Sequence, residues 1–205
     1  AGGGEYYDGP TTRAAVDFLT SGRAKAPFYL QIGLINPHDI CEFEHLQELN
    51  DVPDPIRQGL LSENDLPPLP ENFTFDPDET TVQQVFRRNE DALIHRPIQR
   101  QARHWSPLQW RYLAWMHSRY VERVDVEIGH ILAALDASDL NDNTILIFTS
   151  DHGEAAGRHQ MFQKFTLYEE SVRVPLTVAS MGNSGPIAAP GASTDALVSG
   201  VDLFA

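Results

Sequence analysis

At 205 residues, with 41% hydrophobic and 21% charged, the chain has the make-up of a soluble globular protein with room for one large domain and a sizeable core. Its formal net charge of −14, from 29 acidic and 15 basic residues, argues against a nucleic-acid partner, which needs clustered Lys and Arg. The single cysteine, Cys41, excludes an intramolecular disulfide, and no apolar run approaches the roughly 20 residues of a membrane span.

No signal peptide is visible, and the chain lacks an initiator Met. It opens on Ala1-Gly-Gly-Gly4 and stops in mid-pattern at Val201-Asp-Leu-Phe-Ala205, so a fragment is expected. Residues 1–10 are Gly-rich and read as loop. Thr11 or Thr12 is a plausible cap for a short helix carrying Ala14, Ala15, Phe18 and Leu19 on one face. The apolar run 28–35, bounded by Pro27 and Asn36-Pro37, reads as a buried strand that ends directly in His38-Asp39. Residues 51–80, punctuated by Pro53, Pro55, Pro67, Pro68, Pro70 and Pro77, read as an irregular excursion, either a functional loop or a cover over the core.

Ser106-Pro107 is a good N-cap and first-turn pair. From there Leu113, His117, Tyr120, Val124, Ile128, Ile131 and Leu135 recur at spacings of three and four, which predicts one amphipathic helix over 107–137. A turn at Asn141-Asp-Asn143 leads to the β-branched strand 144–149, then a break at 153–157, a short helix near 164–171 and a strand over 174–179. Alternating helices and fully apolar strands predict an α/β fold with a mostly parallel sheet flanked by helices.

Asp151 and His152 fall just past the carboxyl end of the strand 144–149, where ligand sites assemble in open α/β sheets. A carboxylate beside an imidazole, followed by Gly153, offers two ligands to one cation. Taken alone, the segment also reads as a polar turn. The stretch that follows adds weight to the metal reading.

Ser150-Asp-His-Gly-Glu154, then Lys164, then Leu167-Tyr-Glu-Glu-Ser-Val-Arg-Val-Pro-Leu176 together resemble the sulfatase family of the alkaline phosphatase superfamily. Gln31-Ile-Gly-Leu-Ile-Asn-Pro-His-Asp39 resembles that family's strand ending in Pro-His, and Val124-Asp-Val-Glu-Ile-Gly129 resembles its element before the metal strand. The resemblance covers roughly residues 26–40 and 107–205, so the whole chain, 1–205, is expected to be part of a sulfatase-like catalytic domain.

What the resemblance implies can be carried over by residue. Asp151 and His152 would ligate a single divalent cation, Ca2+ by family habit, with Mg2+ or Mn2+ as alternatives. Lys164 would bind the sulfate group and neutralise the leaving oxygen. His38 would contact the same group, as a hydrogen-bond donor or as acid for the leaving alcohol. The implied substrate is a small-molecule or glycan sulfate ester, and the implied compartment is periplasmic or secreted. Many members carry Asn where His152 stands; His occurs in others, including relatives acting on phosphonate or phosphate esters. That keeps open a phosphoester hydrolase, or a non-catalytic metal-binding module.

The family's formylglycine nucleophile and two further Asp ligands come earlier in its chain order, and neither is found here: Cys41 is followed by Glu42-Phe43-Glu44. The chain by itself is therefore predicted to be inactive. Cys41 reads as a structural thiol, His159 as a solvated loop histidine, His117 as a core residue, and Arg87, Arg88, Arg96, Arg100 and Arg103 as a solvated basic face.

Overall fold

The computed structural model describes residues 3–25, 27–41, 50–88, 102, 104–164, 166–182 and 191–204. The elements are α1 (Gly3–Thr20), α2 (Asp54–Arg57), α3 (Thr81–Arg88), α4 (Pro107–Asp136), β1 (Ile145–Thr149), α5 (Glu169–Val172) and β2 (Leu176–Ser180), with short 3-10 turns between them. His45, His95 and the arginines at 96, 100 and 103 lie outside the described residues, as do the side chains of Arg87 and Arg88.

The first helix starts well before Thr11, inside the stretch expected to be loop. Its cap comes from elsewhere in the chain. Asp39 takes the backbone amides of Gly4 and Glu5 on its two carboxylate oxygens, at 3.0 Å each. The clasp is reciprocal, because Asp8 in α1 accepts the amides of Ile35 at 2.6 Å and Asn36 at 3.0 Å. Both carboxylates are buried and satisfied by backbone donors that would otherwise be orphaned. Gly4 is required here: a Cβ on it would sit 2.4 Å from Asn36 Nδ2.

Helix α4 matches the predicted span and is closed by a full capping box. Ser106 Oγ accepts from the Gln109 amide at 3.3 Å, and Gln109 Oε1 accepts from the Ser106 amide at 2.7 Å. Its length joins two apolar clusters. Near its start, Trp110, Tyr112 and Leu113 pack with Ile40, Cys41 and Leu66, so Cys41 is the buried structural thiol expected. Near its end, Ile131, Ala134 and Leu135 pack on Ala15 and Leu19 of α1.

The segment 28–35 runs without a strand ladder among the described residues. Its alternation is still strand-like: Leu30, Ile32 and Leu34 lean on the α1–α4 cluster, while Tyr29 faces solvent. The Pro-rich excursion is ordered by Arg111 of α4. Its guanidinium donates to the carbonyls of Pro67 at 2.8 Å, Glu63 at 2.8 Å and Leu66 at 2.9 Å.

The sheet among the described residues is one antiparallel pair and does not display the mostly parallel arrangement expected. Strands β1 and β2 pair antiparallel, with Ile145 opposite Ser180 and Thr149 opposite Leu176. An apolar run carries no direction; its connection decides. This connection doubles back as an extended hairpin, in which the Gly153 amide donates to the Ser171 carbonyl at 2.9 Å. Both strands are also far from buried, with Ile145, Ile147, Phe148, Leu176 and Val178 exposed.

Replacing Asp39 with Ala leaves two α1 amides without their acceptor. A loss of about 1–3 kcal/mol is expected in urea denaturation followed by circular dichroism, with Asp39→Asn, which keeps one acceptor oxygen, losing less.

Candidate active site

Immediately after β1 the chain turns, and the turn sorts the polar atoms. Asp151 Oδ1 accepts from the His152 amide at 3.0 Å and from Ser150 Oγ at 3.4 Å. That leaves Oδ2, on a side chain 83% exposed, 3.5 Å from His152 Nε2. The other imidazole nitrogen, Nδ1, lies 2.9 Å from the Gly153 carbonyl. A carbonyl only accepts, so in the neutral ring Nδ1 carries the proton and the Nε2 lone pair faces Asp151 Oδ2. Anchoring one imidazole N–H on a carbonyl is how a metal-ligating histidine is held. These two atoms therefore fit a divalent cation. Among the described residues, no group of three or more His, Cys, Asp or Glu completes a ligand set around them.

Beyond Gly153 the chain makes a tight excursion and returns at Lys164. A Cβ at Gly153 would lie 1.9 Å from the Glu170 carbonyl oxygen, so only glycine fits against α5. The loop closes on itself through Ala155 N to Gln163 O at 3.1 Å and Gly157 N to Met161 O at 2.8 Å. Four non-glycine residues hold positive φ: Ala156 at 46°, His159 at 54°, Gln160 at 53° and Gln163 at 70°.

Glu154 lies inside this loop and accepts from the amides of Ala156, at 3.3 Å, and Gln163. Burial pushes its carboxyl above the ordinary value, against the two amides, Lys164 and His152. On the outer side, His159 is not the solvated residue expected. Its amide donates to the Asn72 carbonyl at 2.8 Å, and its ring stacks on Tyr168 at 3.9 Å between centroids. Its Nε2 faces Asn72 Nδ2 at 3.3 Å and Glu170 at 3.6 Å. Burial pushes the Glu170 carboxyl up, but its own amide, the Asn72 side chain, His159 and Arg158 outweigh that and hold it below the ordinary value. Tyr168 in turn donates to Glu79 at 2.8 Å, so the Pro-rich excursion braces the loop at Asn72 and Glu79.

The loop delivers Lys164 to His38, 126 residues away in sequence: Nζ lies 2.9 Å from Nδ1. An ammonium has only donors, so Nδ1 accepts and the neutral ring keeps its proton on Nε2. Burial first, then Lys164 and His152, push His38 below its ordinary 6.5, with Asp39 and Asp151 pulling the other way. Lys164 and His38 thus meet directly, and Asp151 and His152 lie near enough for their charges to act on His38. Of the residues around the loop that were not singled out from the sequence, Glu154 and Glu170 each stand within a motif carrying the resemblance, whereas Asn72 has no recognisable spacing.

This is an α/β chain that gathers its polar side chains beyond a strand end. The profile of the family described as Sulfatase matches residues 2–205. Iduronate 2-sulfatase of Mus musculus is 32% identical over 199 residues, which cover 92% of this chain and 33% of that protein. The Delta 4,5-hexuronate-2-O-sulfatase of Bacteroides thetaiotaomicron is 30% identical over 183 residues, covering 86% of this chain and 35% of the relative. A solved 2-O GAG sulfatase superposes with a TM-score of 0.72 at 25% identity, over 91% of this chain and 38% of that structure. The chain belongs to the sulfatase family, and it spans about a third of the length of these curated relatives.

Two outcomes follow from the packing. Gly153→Ala should break the contact with α5 and lower the melting temperature by several degrees, read by circular dichroism. His117 lies in α4, and burial, then Arg158, push it below 6.5. The unfolded chain therefore takes up this proton first, so the stability it confers is present above about pH 6.5 and is lost as pH falls below it. His117→Gln should flatten the melting temperature between about pH 7.5 and pH 5.5.

Proposed function

We propose that the full-length protein hydrolyses sulfate esters of a glycan, and that this chain supplies the sulfate-binding pair Lys164 and His38 and two ligands of one divalent cation, Asp151 and His152. The observation that carries the reading is the 2.9 Å contact from Lys164 Nζ to His38 Nδ1. Sulfate ester cleavage builds negative charge on the sulfuryl oxygens and on the leaving oxygen. Lys164 meets that charge with a full positive charge, and it holds His38 in the tautomer whose Nε2–H points away for donation. Of the two roles open to His38, this arrangement favours donation by a neutral ring.

The cation, Ca2+ with Mg2+ or Mn2+ as alternatives, would supply further positive charge to the sulfate oxygens. Nucleophilic attack belongs to a formylglycine outside this chain, as the family resemblance implies, so the chain alone is inactive. The mostly parallel sheet belongs to the whole catalytic domain, to which β1 and β2 contribute an antiparallel pair. The relatives' names speak of iduronate, hexuronate and 2-O positions, which supports a 2-O-sulfated uronate as the substrate; a periplasmic or secreted location is what the family resemblance implies. No helix among the described residues is long and apolar enough to cross a membrane. His152, where many sulfatases have Asn, permits phosphate or phosphonate esters as the second reading.

In the full-length protein, Lys164→Ala is expected to lower kcat/KM on an aryl sulfate by about 100-fold or more. Unaltered turnover would remove Lys164 from the mechanism. Chelation with EDTA should abolish turnover and added Ca2+ should restore it. Release of sulfate from a 2-O-sulfated uronate disaccharide, compared with phosphate from a phosphate monoester, decides between the two substrate readings.

A further inference from the structure

The loop from Gly153 to Lys164 is costly to hold. Each non-glycine residue at positive φ costs about 1 kcal/mol or more, and the loop has four of them. Such strain persists only where the surroundings over-determine the backbone. The outer anchor is the His159, Tyr168, Glu170 and Asn72 cluster, whose nearest loop residue to Lys164 is His159, five positions before it.

The inner anchor is different in kind. One carboxylate oxygen of Glu154, Oε1, gathers the amide of Ala156 at 3.3 Å and the amide of Gln163. Gln163 is 2% exposed, has a φ of 70° and directly precedes Lys164. Glu154 fixes the peptide entering Gln163 and the Ala155 amide, at 3.1 Å from the Gln163 carbonyl, fixes the peptide leaving it, so the two together set the exit direction. Lys164 leaves toward His38. A half-buried carboxylate is a costly way to close a loop that also has backbone pairs of its own. Its position beside the charges of Lys164 and His152 gives it a second use.

We infer that Glu154 is a positioning residue for sulfate binding: by clamping the Gln163 amide it aims the Lys164 ammonium at His38 and at the sulfate oxygens. The inference rests on the sulfate-binding role proposed for Lys164. Glu154 acts through Lys164, so its effect has to vanish when Lys164 is gone. A residue that merely stabilises the fold has no such dependence.

The test is the affinity of the full-length protein for inorganic sulfate, read by isothermal titration calorimetry with folding checked by circular dichroism. Glu154→Leu removes the acceptor and is expected to weaken sulfate binding about tenfold or more, as a misaimed charge does. Glu154→Gln keeps Oε1 and is expected to stay within about threefold of the parent. In a Lys164→Ala background, Glu154→Leu is expected to change nothing further. Should Glu154→Leu fail to fold, Glu154→Asp takes its place, withdrawing the acceptor by one methylene while keeping the charge. If Lys164→Ala itself leaves sulfate affinity unchanged, the functional reading of Lys164 falls. If Lys164→Ala weakens binding but the Glu154 variants do not, or if their loss is the same in both backgrounds, the positioning role alone is overturned.

Discussion

Asp39 and Asp8 exchange carboxylates for amides across the gap between α1 and the turn at residues 35–39. Each carboxylate is buried, and each is satisfied by main-chain donors rather than by a cation. The arrangement is self-consistent: α1 gains a cap that its Gly-rich start cannot supply, and the turn gains a rigid wall. His38 sits inside that clasp, one residue before Asp39. Were the turn free to move, the meeting of His38 with a lysine 126 residues away would depend on two loose ends. Burying the two carboxylates removes one of them.

The other end is made rigid by a different device. The loop that presents Lys164 is held by short-range closure at Glu154 and by long-range contact at Asn72 and Glu79. The Pro-rich excursion, which looks like surface cover from its composition, is thereby part of the support for the site. It is in turn fastened to α4 by Arg111, whose planar fork takes three carbonyls and so orders a stretch with little repeating structure of its own. Helix α4 carries the load from both sides, since its first turns pack under the excursion and its last turns pack on α1.

The site is therefore a convergence of three segments on one strand end. Asp151 and His152 come directly from the turn after β1, Lys164 from the strained loop, and His38 from the clasped turn. The positive charge of Lys164 beside an exposed His38, whose ring nitrogen it engages, would suit an anion. The outward Oδ2 of Asp151 and the Nε2 of His152 create a place for a cation next to it.

Much of this was legible in the residues. Helix α4 announces itself through Ser106-Pro107 and a sustained apolar stripe, because both its cap and its period are local. The strands β1 and β2 show as β-branched runs for the same reason, and Asp151, His152, Lys164 and His38 are singled out by short motifs that resemble the sulfatase family. What local pattern does not encode is who supplies a missing partner. The start of α1 lay hidden because its cap is Asp39, 35 residues from Gly4. His159 looked solvated because Asn72 and Glu170, which enclose it, are distant in sequence. The antiparallel pairing of β1 with β2 was not anticipated because an apolar run is the same read either way. Sequence by itself determined the residue chemistry and the family, since these reside in adjacent side chains. Tertiary structure decided the strand direction, the cap of α1 and the aim of Lys164, since each depends on hydrogen bonds between segments that only folding brings together.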